Sequence, residues 1–372
     1  MAALLAATAP ACAAAQDPGG AGSASRERAA LSTRLLESVI PAQEPGCSAA
    51  VGVDGEVVWA GARGMADVAE GRTLGVSTTF DIASVSKTFT ATAVLLLAHD
   101  GSVSLQDPVS RWVPGLPAWG DDVTLDHLLH HTSGIPEYVS KFDVAGRKYG
   151  DHIPQREVLD AIADMASASP SPGRYFEYSD SDYILLAEVV RAASGQPLAR
   201  FAAARIFQPL GLGTSIDPLG ASPDDTSASA ARGYLRDSAG DAEPWRAGGS
   251  RWEMVGAGAV QSTPSDLVRW GDNYRTGAVG GGELLDAQLC GAAAVDDGTG
   301  DSYGAGIFVL ADGRLGHPGA WAGFTTLFEV SADKHTTIAV ACNRDAPGDT
   351  AREDLLEGLR QQWAPSPDSS SS

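Results

Sequence analysis

The stretch that decides the fold is FDIASVSKTFTATAVLLLAHDG, at positions 80–101. After Ser84 the apolar residues recur at helical spacing, and Gly101 stands where a glycine commonly ends a helix. Ser84 and Lys87 are three positions apart, so we expect both side chains on one face of the first helical turn. A serine at a helix N-terminus lies among backbone N–H groups without helical partners, and these stabilise developing negative charge.

Lysine is rare in this chain, which makes its place beside Ser84 informative. It occurs at four positions, Lys87, Lys141, Lys148 and Lys334, and the other basic residues are arginines. A buried lysine can lose its proton and then accept the proton of an attacking serine hydroxyl, which an arginine effectively cannot do. The pattern also occurs by chance as a helix start with a surface lysine, so alone it suggests a catalytic pair without establishing one.

Short strands are predicted at both ends of the chain. Near the N-terminus, Cys47–Val53 and 56–60 flank Asp54-Gly55, which is a strong hairpin signal. Near the C-terminus the predicted strands are 307–310, 315–317, Phe324–Val330 and Thr336–Cys342. Strands joined by tight turns pair antiparallel, and most segments between the two ends have helical periodicity. We therefore predict an α+β protein: one sheet built from both termini, flanked by terminal helices at 26–39 and 349–363, with a largely helical domain inserted.

Seven stretches resemble, in the same order, the β-lactamase-related serine hydrolases. They are FDIASVSKTFT (80–90), LQDPVSRWVPGLP (105–117), VTLDHLLHHTSGIPEY (123–138), PGRYFEYSDSDYILLAEVVRAASG (172–195), IFQPLGLGTS (206–215), GAGAVQSTPSDLVRW (256–270) and HPGAWAGFTT (317–326). The family includes class C β-lactamases, D-alanyl-D-alanine carboxypeptidases, D-amino-acid peptidases and several esterases. The resemblance spans about 27–345, and it implies a β-lactamase/transpeptidase-like fold with a five-stranded antiparallel sheet.

The resemblance also implies the roles of the residues that match the family's motifs. Ser84 and Lys87 match the nucleophile and the base. Tyr178, in Tyr178-Ser179-Asp180, matches the tyrosine of a Tyr-x-Asn motif, whose phenol relays protons to the leaving group.

The third motif of the family matches His317-Pro318-Gly319. It is Lys-Thr-Gly in many β-lactamases and often His-x-Gly in peptidases and esterases, so His317 and Gly319 are expected to bind substrate. The oxyanion hole would be formed by the backbone N–H groups of Ser84 and Ala320.

Asp180 departs from the family pattern, which usually has asparagine there. Its carboxylate can only accept hydrogen bonds, and its charge would hold Lys87 protonated, opposing the role of that lysine as a base. Asp180 can also act as the cap of a helix that begins near Ser181 and ends before Gly195. We place it among the substrate-binding residues and expect no efficient β-lactam turnover.

The histidines and cysteines offer further interpretations. His127, His130 and His131 suggest zinc, but their spacing lacks acidic ligands and belongs to the family's own HLL-x-H-x-SG segment, so we expect neither metal nor cofactor. Cys47 and Cys342 lie on strands that would be neighbours in this fold, and we expect two buried thiols, with a disulfide between them as the alternative.

Composition and the chain ends set the remaining expectations. A formal net charge of −21, with no stripe of basic residues, argues against nucleic acid. Residues 1–15 resemble a signal peptide without a basic start, with lipidation of Cys12 as an alternative. We therefore expect a secreted or extracytoplasmic protein that does not span a membrane.

The predicted domain organisation places a linker at 16–25, a sheet subdomain at 26–83 and 264–363, a helical subdomain at 84–263 and a disordered tail at 364–372.

The most economical hypothesis is a monomeric serine hydrolase that forms an acyl-enzyme on Ser84 with a small peptide, ester or β-lactam. A D-alanyl-D-alanine carboxypeptidase-like activity comes first, an esterase second and a β-lactamase third. Two rivals come from other classes: a catalytically silent protein that binds cell-wall peptides, and a zinc hydrolase.

Overall fold

The computed structural model describes residues 18–165, 171–220, 222, 227, 229–237 and 243–364. The predicted signal peptide at 1–15, Cys12 and the predicted tail beyond Ala364 lie outside these residues. Among the helices that are described, none is long and apolar enough to cross a membrane.

The described residues form the following helices and strands. The α-helices are α1 (Pro18–Val39), α2 (Ser86–His99), α3 (Trp119–Asp122), α4 (Leu125–Leu129), α5 (Tyr138–Val144), α6 (Gln155–Ala163), α7 (Asp180–Ser194), α8 (Leu198–Ala202), α9 (Pro264–Thr276), α10 (Gly281–Leu289) and α11 (Ala351–Trp363). The strands are β1 (Cys47–Val53), β2 (Glu56–Arg63), β3 (Met65–Asp67), β4 (Arg72–Thr73), β5 (Phe80–Asp81), β6 (Ser215–Ile216), β7 (Tyr234–Leu235), β8 (Arg246–Ala247), β9 (Val260–Ser262), β10 (Ala293–Ala294), β11 (Ser302–Tyr303), β12 (Phe308–Val309), β13 (Leu315–Trp321), β14 (Phe324–Val330), β15 (Thr336–Cys342) and β16 (Arg344–Asp345). The described residues also include two 3₁₀ turns (Ala83–Val85 and Val109–Arg111) and one π turn (Ala203–Phe207).

The main sheet is antiparallel and is built from both ends of the chain, as predicted. Its strand order is β10-β11-β12-β13-β14-β15-β1-β2. The five long strands and the short β12 correspond to predicted strands, and the two-residue strands β10 and β11 extend the sheet to eight. The β1–β2 hairpin turns at Asp54 and Gly55, whose φ angles of 53° and 84° fit a tight turn that needs two left-handed residues.

Helices cover both faces of the sheet. The terminal helices α1 and α11 pack on one face, where Leu36, Trp59, Leu355 and Trp363 form a buried cluster, and α9 packs on the other face against β1 and β15. A larger apolar core surrounds α2 and joins it to α7, α8 and α10. The division at 84 and 263 into two subdomains stays a prediction.

Two expectations need correction. Cys47 and Cys342, predicted to be thiols, form a disulfide, because the register of β1 and β15 places the two cysteines directly opposite each other. The stretch 16–25 was predicted to be a linker, but α1 begins at Pro18, a residue whose fixed φ suits the first turn of a helix.

Candidate active site

The turn before α2 presents Ser84. Every residue from 80 to 97 is buried except Ser84, which is partly exposed. The preceding Ala83 adopts a left-handed φ of 48°, and its N–H donates to Asp81 Oδ1 at 2.7 Å. This turn places the partly exposed Ser84 at the start of a buried helix.

Lys87 is fully buried and has three hydrogen-bond acceptors. Its Nζ lies 3.0 Å from Ser84 Oγ, 2.5 Å from Asp180 Oδ1 and 3.1 Å from Ala257 O. Three acceptors match the three donors of an ammonium group. In this arrangement Lys87 donates to Ser84, whereas a base would have to accept from it.

The protonation of Lys87 follows from its neighbours. Burial lowers the pKa of Lys87, but the adjacent Asp180 carboxylate outweighs burial, and the net pKa is raised above its usual range. Tyr178 places its ring centroid 4.9 Å from Lys87 Nζ. Burial raises the pKa of the Tyr178 phenol, and the nearby Lys87 only partly offsets this, so the phenol is held protonated.

Asp180 is the first residue of α7, and its carboxylate is the partner of Lys87 rather than a helix cap.

The sequence analysis did not identify a second carboxylate near this pair, Glu137. Its Oε2 accepts the backbone N–H of Asp180 at 2.7 Å, and its Oε1 accepts that of Val139 at 3.2 Å. Burial and the nearby Asp180 raise the pKa of Glu137 to about 7. The sequence had placed Glu137 in a family-like segment, but only tertiary packing brings it to Asp180.

His317 lies on β13 and is buried. It is 1% exposed, with Nε2 2.9 Å from the Tyr303 hydroxyl and Nδ1 2.6 Å from Pro318 O. The carbonyl of Pro318 can only accept, so Nδ1 carries the ring proton and Nε2 accepts from Tyr303. Burial and the charge of Lys87 lower the pKa of His317 to about 3, so the ring is neutral. A positioning role fits this geometry better than direct contact with substrate.

Gly319 brings β13 against the turn that carries Ser84. A Cβ atom on Gly319 would lie 2.4 Å from Ile82 O and 3.2 Å from Ser84 N, so only glycine permits this approach. Ala320 follows on the same strand. The pairing of the Ser84 and Ala320 N–H groups as an oxyanion hole stays a prediction that this packing favours.

The three clustered histidines have structural partners. His127 completes a capping box at the start of α4, His130 lies against Asp126, and His131 lies 3.0 Å from Asp182. Within the described part of the chain, no group of three His, Cys, Asp or Glu residues could hold a metal ion.

A family model described as Beta-lactamase matches residues 34–361. The curated relatives include penicillin-binding protein 4* of Bacillus subtilis, 29% identical over 78% of this chain and 66% of its own. Esterase EstB of Burkholderia gladioli is 37% identical over 45% of each chain. The D-alanyl-D-alanine-carboxypeptidase/endopeptidase AmpH of Escherichia coli is 30% identical over 52% of this chain and 48% of its own. The chain thus spans less than two thirds of the length of these relatives.

The fold also matches solved structures. The octameric penicillin-binding protein homologue from Pyrococcus abyssi superposes with a TM-score of 0.73 and 25% identity, over 93% of this chain and 79% of its own.

Proposed function

Because the chain belongs to the Beta-lactamase family, we propose that it is a serine hydrolase in which Ser84 attacks an amide or ester carbonyl and forms an acyl-enzyme. One observation carries the proposal: the ammonium of a fully buried lysine, Lys87, lies 3.0 Å from Ser84 Oγ at the start of a buried helix. Nucleophile and base within hydrogen-bond reach are the signature of covalent catalysis by serine.

The proton path begins with the pair of Lys87 and Asp180. In the fraction of molecules in which Lys87 has lost a proton to solvent, despite Asp180 only 2.5 Å away, the neutral amine accepts the proton of Ser84 as Ser84 Oγ bonds to the carbonyl carbon. The N–H groups of Ser84 and Ala320 stabilise the oxyanion. Tyr178 donates its proton to the leaving group as the scissile bond breaks, and it regains a proton from Lys87. Water then hydrolyses the acyl-enzyme.

A D-alanyl-D-alanine carboxypeptidase-like activity is the first candidate. The similarity to AmpH and penicillin-binding protein 4* supports it. The substrate would be a small peptide met outside the cytoplasm by a secreted monomer.

An esterase is the second candidate, and the chemistry of the third motif favours it. The motif supplies a neutral, buried His317 where many β-lactamases have lysine, so it offers no cation for a substrate carboxylate. Ester substrates need no such cation. A β-lactamase comes third for the same reason and because Asp180 keeps Lys87 protonated.

Intact-protein mass spectrometry after exposure to a fluorescent penicillin and, separately, a fluorophosphonate tests the proposal. Ser84→Ala should abolish any adduct, whereas Ser102→Ala, which changes an exposed serine, should leave it unchanged. A stable penicillin adduct would support the carboxypeptidase, and labelling by fluorophosphonate alone would support the esterase. No adduct from either reagent would contradict the proposal and favour a silent peptide-binding protein.

A further inference from the structure

His131 is a buried residue that the proposed mechanism leaves unused. It lies between α4 and α5, is 0% exposed and has a left-handed φ of 53°, which a residue with a side chain seldom adopts. Its ring is enclosed by aromatic side chains, with centroid distances of 4.3 Å to Tyr178, 4.8 Å to Tyr303 and 5.0 Å to Tyr183. Of these rings, the closest belongs to the residue proposed to protonate the leaving group.

His131 also holds the backbone on both sides of Tyr178. Its carbonyl oxygen accepts the N–H of Glu177 at 2.7 Å, and its ring Nδ1 accepts the N–H of Ser179 at 3.3 Å. One residue therefore contacts the backbone N–H of Glu177, the peptide that follows Tyr178 and the ring of Tyr178. A strained backbone conformation that is retained at such a point is typical of functional sites.

Asp182 holds the ring of His131 from the other side. Its Oδ2 lies 3.0 Å from Nδ1, and its Oδ1 accepts the hydroxyl of Ser133 at 2.5 Å. The N–H of Ser179 can only donate, and its approach to Nδ1 favours Nδ1 as an acceptor and a proton on the facing carboxyl group of Asp182. Asp182 is then an uncharged donor.

The surrounding charges agree with a neutral pair. Burial lowers the pKa of His131 well below its usual value, and the charge of Lys87 acts in the same direction. Burial raises the pKa of Asp182 well above its usual value. The nearby carboxylates Glu137 and Asp180 raise it further, whereas Ser133 and Lys87 lower it.

We propose that His131, held by an uncharged Asp182, is a positioning residue that fixes the hydroxyl of Tyr178 for protonation of the leaving group. The inference rests on the proposed function, because it assumes that Tyr178 supplies that proton. Loss of His131 should then act selectively on substrates whose leaving group needs a proton.

Two esters with one acyl group separate this role from general support of the fold. A p-nitrophenyl ester leaves readily as an anion, whereas the phenyl ester depends more on protonation. Tyr178→Phe should lower kcat/KM for the phenyl ester about tenfold or more beyond its effect on the p-nitrophenyl ester. His131→Asn, which retains an acceptor near Nδ1 but removes the ring, should produce the same selective loss. In a Tyr178→Phe background it should add little.

Two results would overturn the inference while leaving the proposed function intact: His131→Asn lowers kcat/KM equally for both esters, or its effect adds fully to that of Tyr178→Phe. If Tyr178→Phe itself shows no selectivity between the esters, the proposed proton donor is wrong, and the inference falls with it.

Asp182→Asn tests the protonation state and keeps the inference testable if His131→Asn does not fold. An amide can donate to Nδ1 through its NH₂ and accept from Ser133 through its oxygen, as a protonated carboxyl does. We expect kcat/KM within about threefold of wild type for both esters, with the thermal midpoint nearly unchanged. A large loss on either measure would mean that Asp182 is ionised and would contradict the proposed pair.

Discussion

At the scale of residues, the ion pair between Lys87 and Asp180 decides how readily the site can react. The same carboxylate that holds Lys87 in place also keeps it protonated, because their separation of 2.5 Å in a buried site strongly favours the charged pair. A protonated Lys87 orients the hydroxyl of Ser84 but cannot remove its proton. The resting site is therefore organised but not yet basic.

Replacing Asp180 by asparagine should accelerate acylation of Ser84. Without the carboxylate, burial lowers the pKa of Lys87, so a larger fraction of this lysine is neutral at a given pH. We expect a rise of about tenfold in the acylation rate at neutral pH, with the rate-versus-pH curve displaced to lower pH. Single-turnover kinetics with the fluorescent penicillin across pH 5–10 would measure both.

Glu188→Gln is the matched control, because it removes a carboxylate from the outer part of α7, where Glu188 pairs with Arg191. It should leave the acylation rate unchanged. Slower acylation in Asp180→Asn would refute the charge argument and make Asp180 a required proton acceptor.

At the scale of elements, the contact between β13 and the turn at Ala83–Val85 assembles the site. The nucleophile lies on one element and the predicted second N–H donor on the other, so their separation depends on how closely the strand approaches. Gly319 sets that approach, because a side chain there would meet the backbone at Ile82.

Gly319→Ala should therefore impair catalysis without unfolding the protein. The added methyl group would lie 2.4 Å from Ile82 O and must displace β13 from the turn. We expect a loss of about 100-fold in kcat/KM, similar to removal of one oxyanion donor. Gly282→Ala, where the added Cβ meets nothing within 4 Å, is the control and should behave as wild type. Near-normal activity of Gly319→Ala would show that this approach does not matter.

The elements that could be predicted are those whose signals are local. Asp54-Gly55 specifies its own turn, and Ser84 and Lys87 share a face because helical spacing requires it. The two-residue strands β10 and β11 are too short to show periodicity. Glu137 and His131 join the site only through tertiary contacts with residues near position 180, and no local pattern reports such contacts.

At the scale of the whole molecule, the sheet joins segments from both ends of the chain. β1 pairs with β15, so closing the sheet requires contacts between residues almost 300 positions apart, which Cys47 and Cys342 link covalently. Sequence reasoning placed these cysteines on neighbouring strands but expected thiols, since a bridge requires a register that the sequence does not specify.

Replacing both Cys47 and Cys342 by alanine should lower the free energy of unfolding by about 2–4 kcal/mol, because the bridge restricts the unfolded chain across a separation of 295 residues. Urea unfolding with and without reductant measures this, and reductant should lower the midpoint of the wild type but not that of the double variant. Cys290→Ala, which removes the exposed free thiol, should respond as the wild type does. Equal midpoints for the wild type with and without reductant would instead mean that these two cysteines are the buried thiols expected from the sequence, and that strand pairing alone holds the two ends of the chain together.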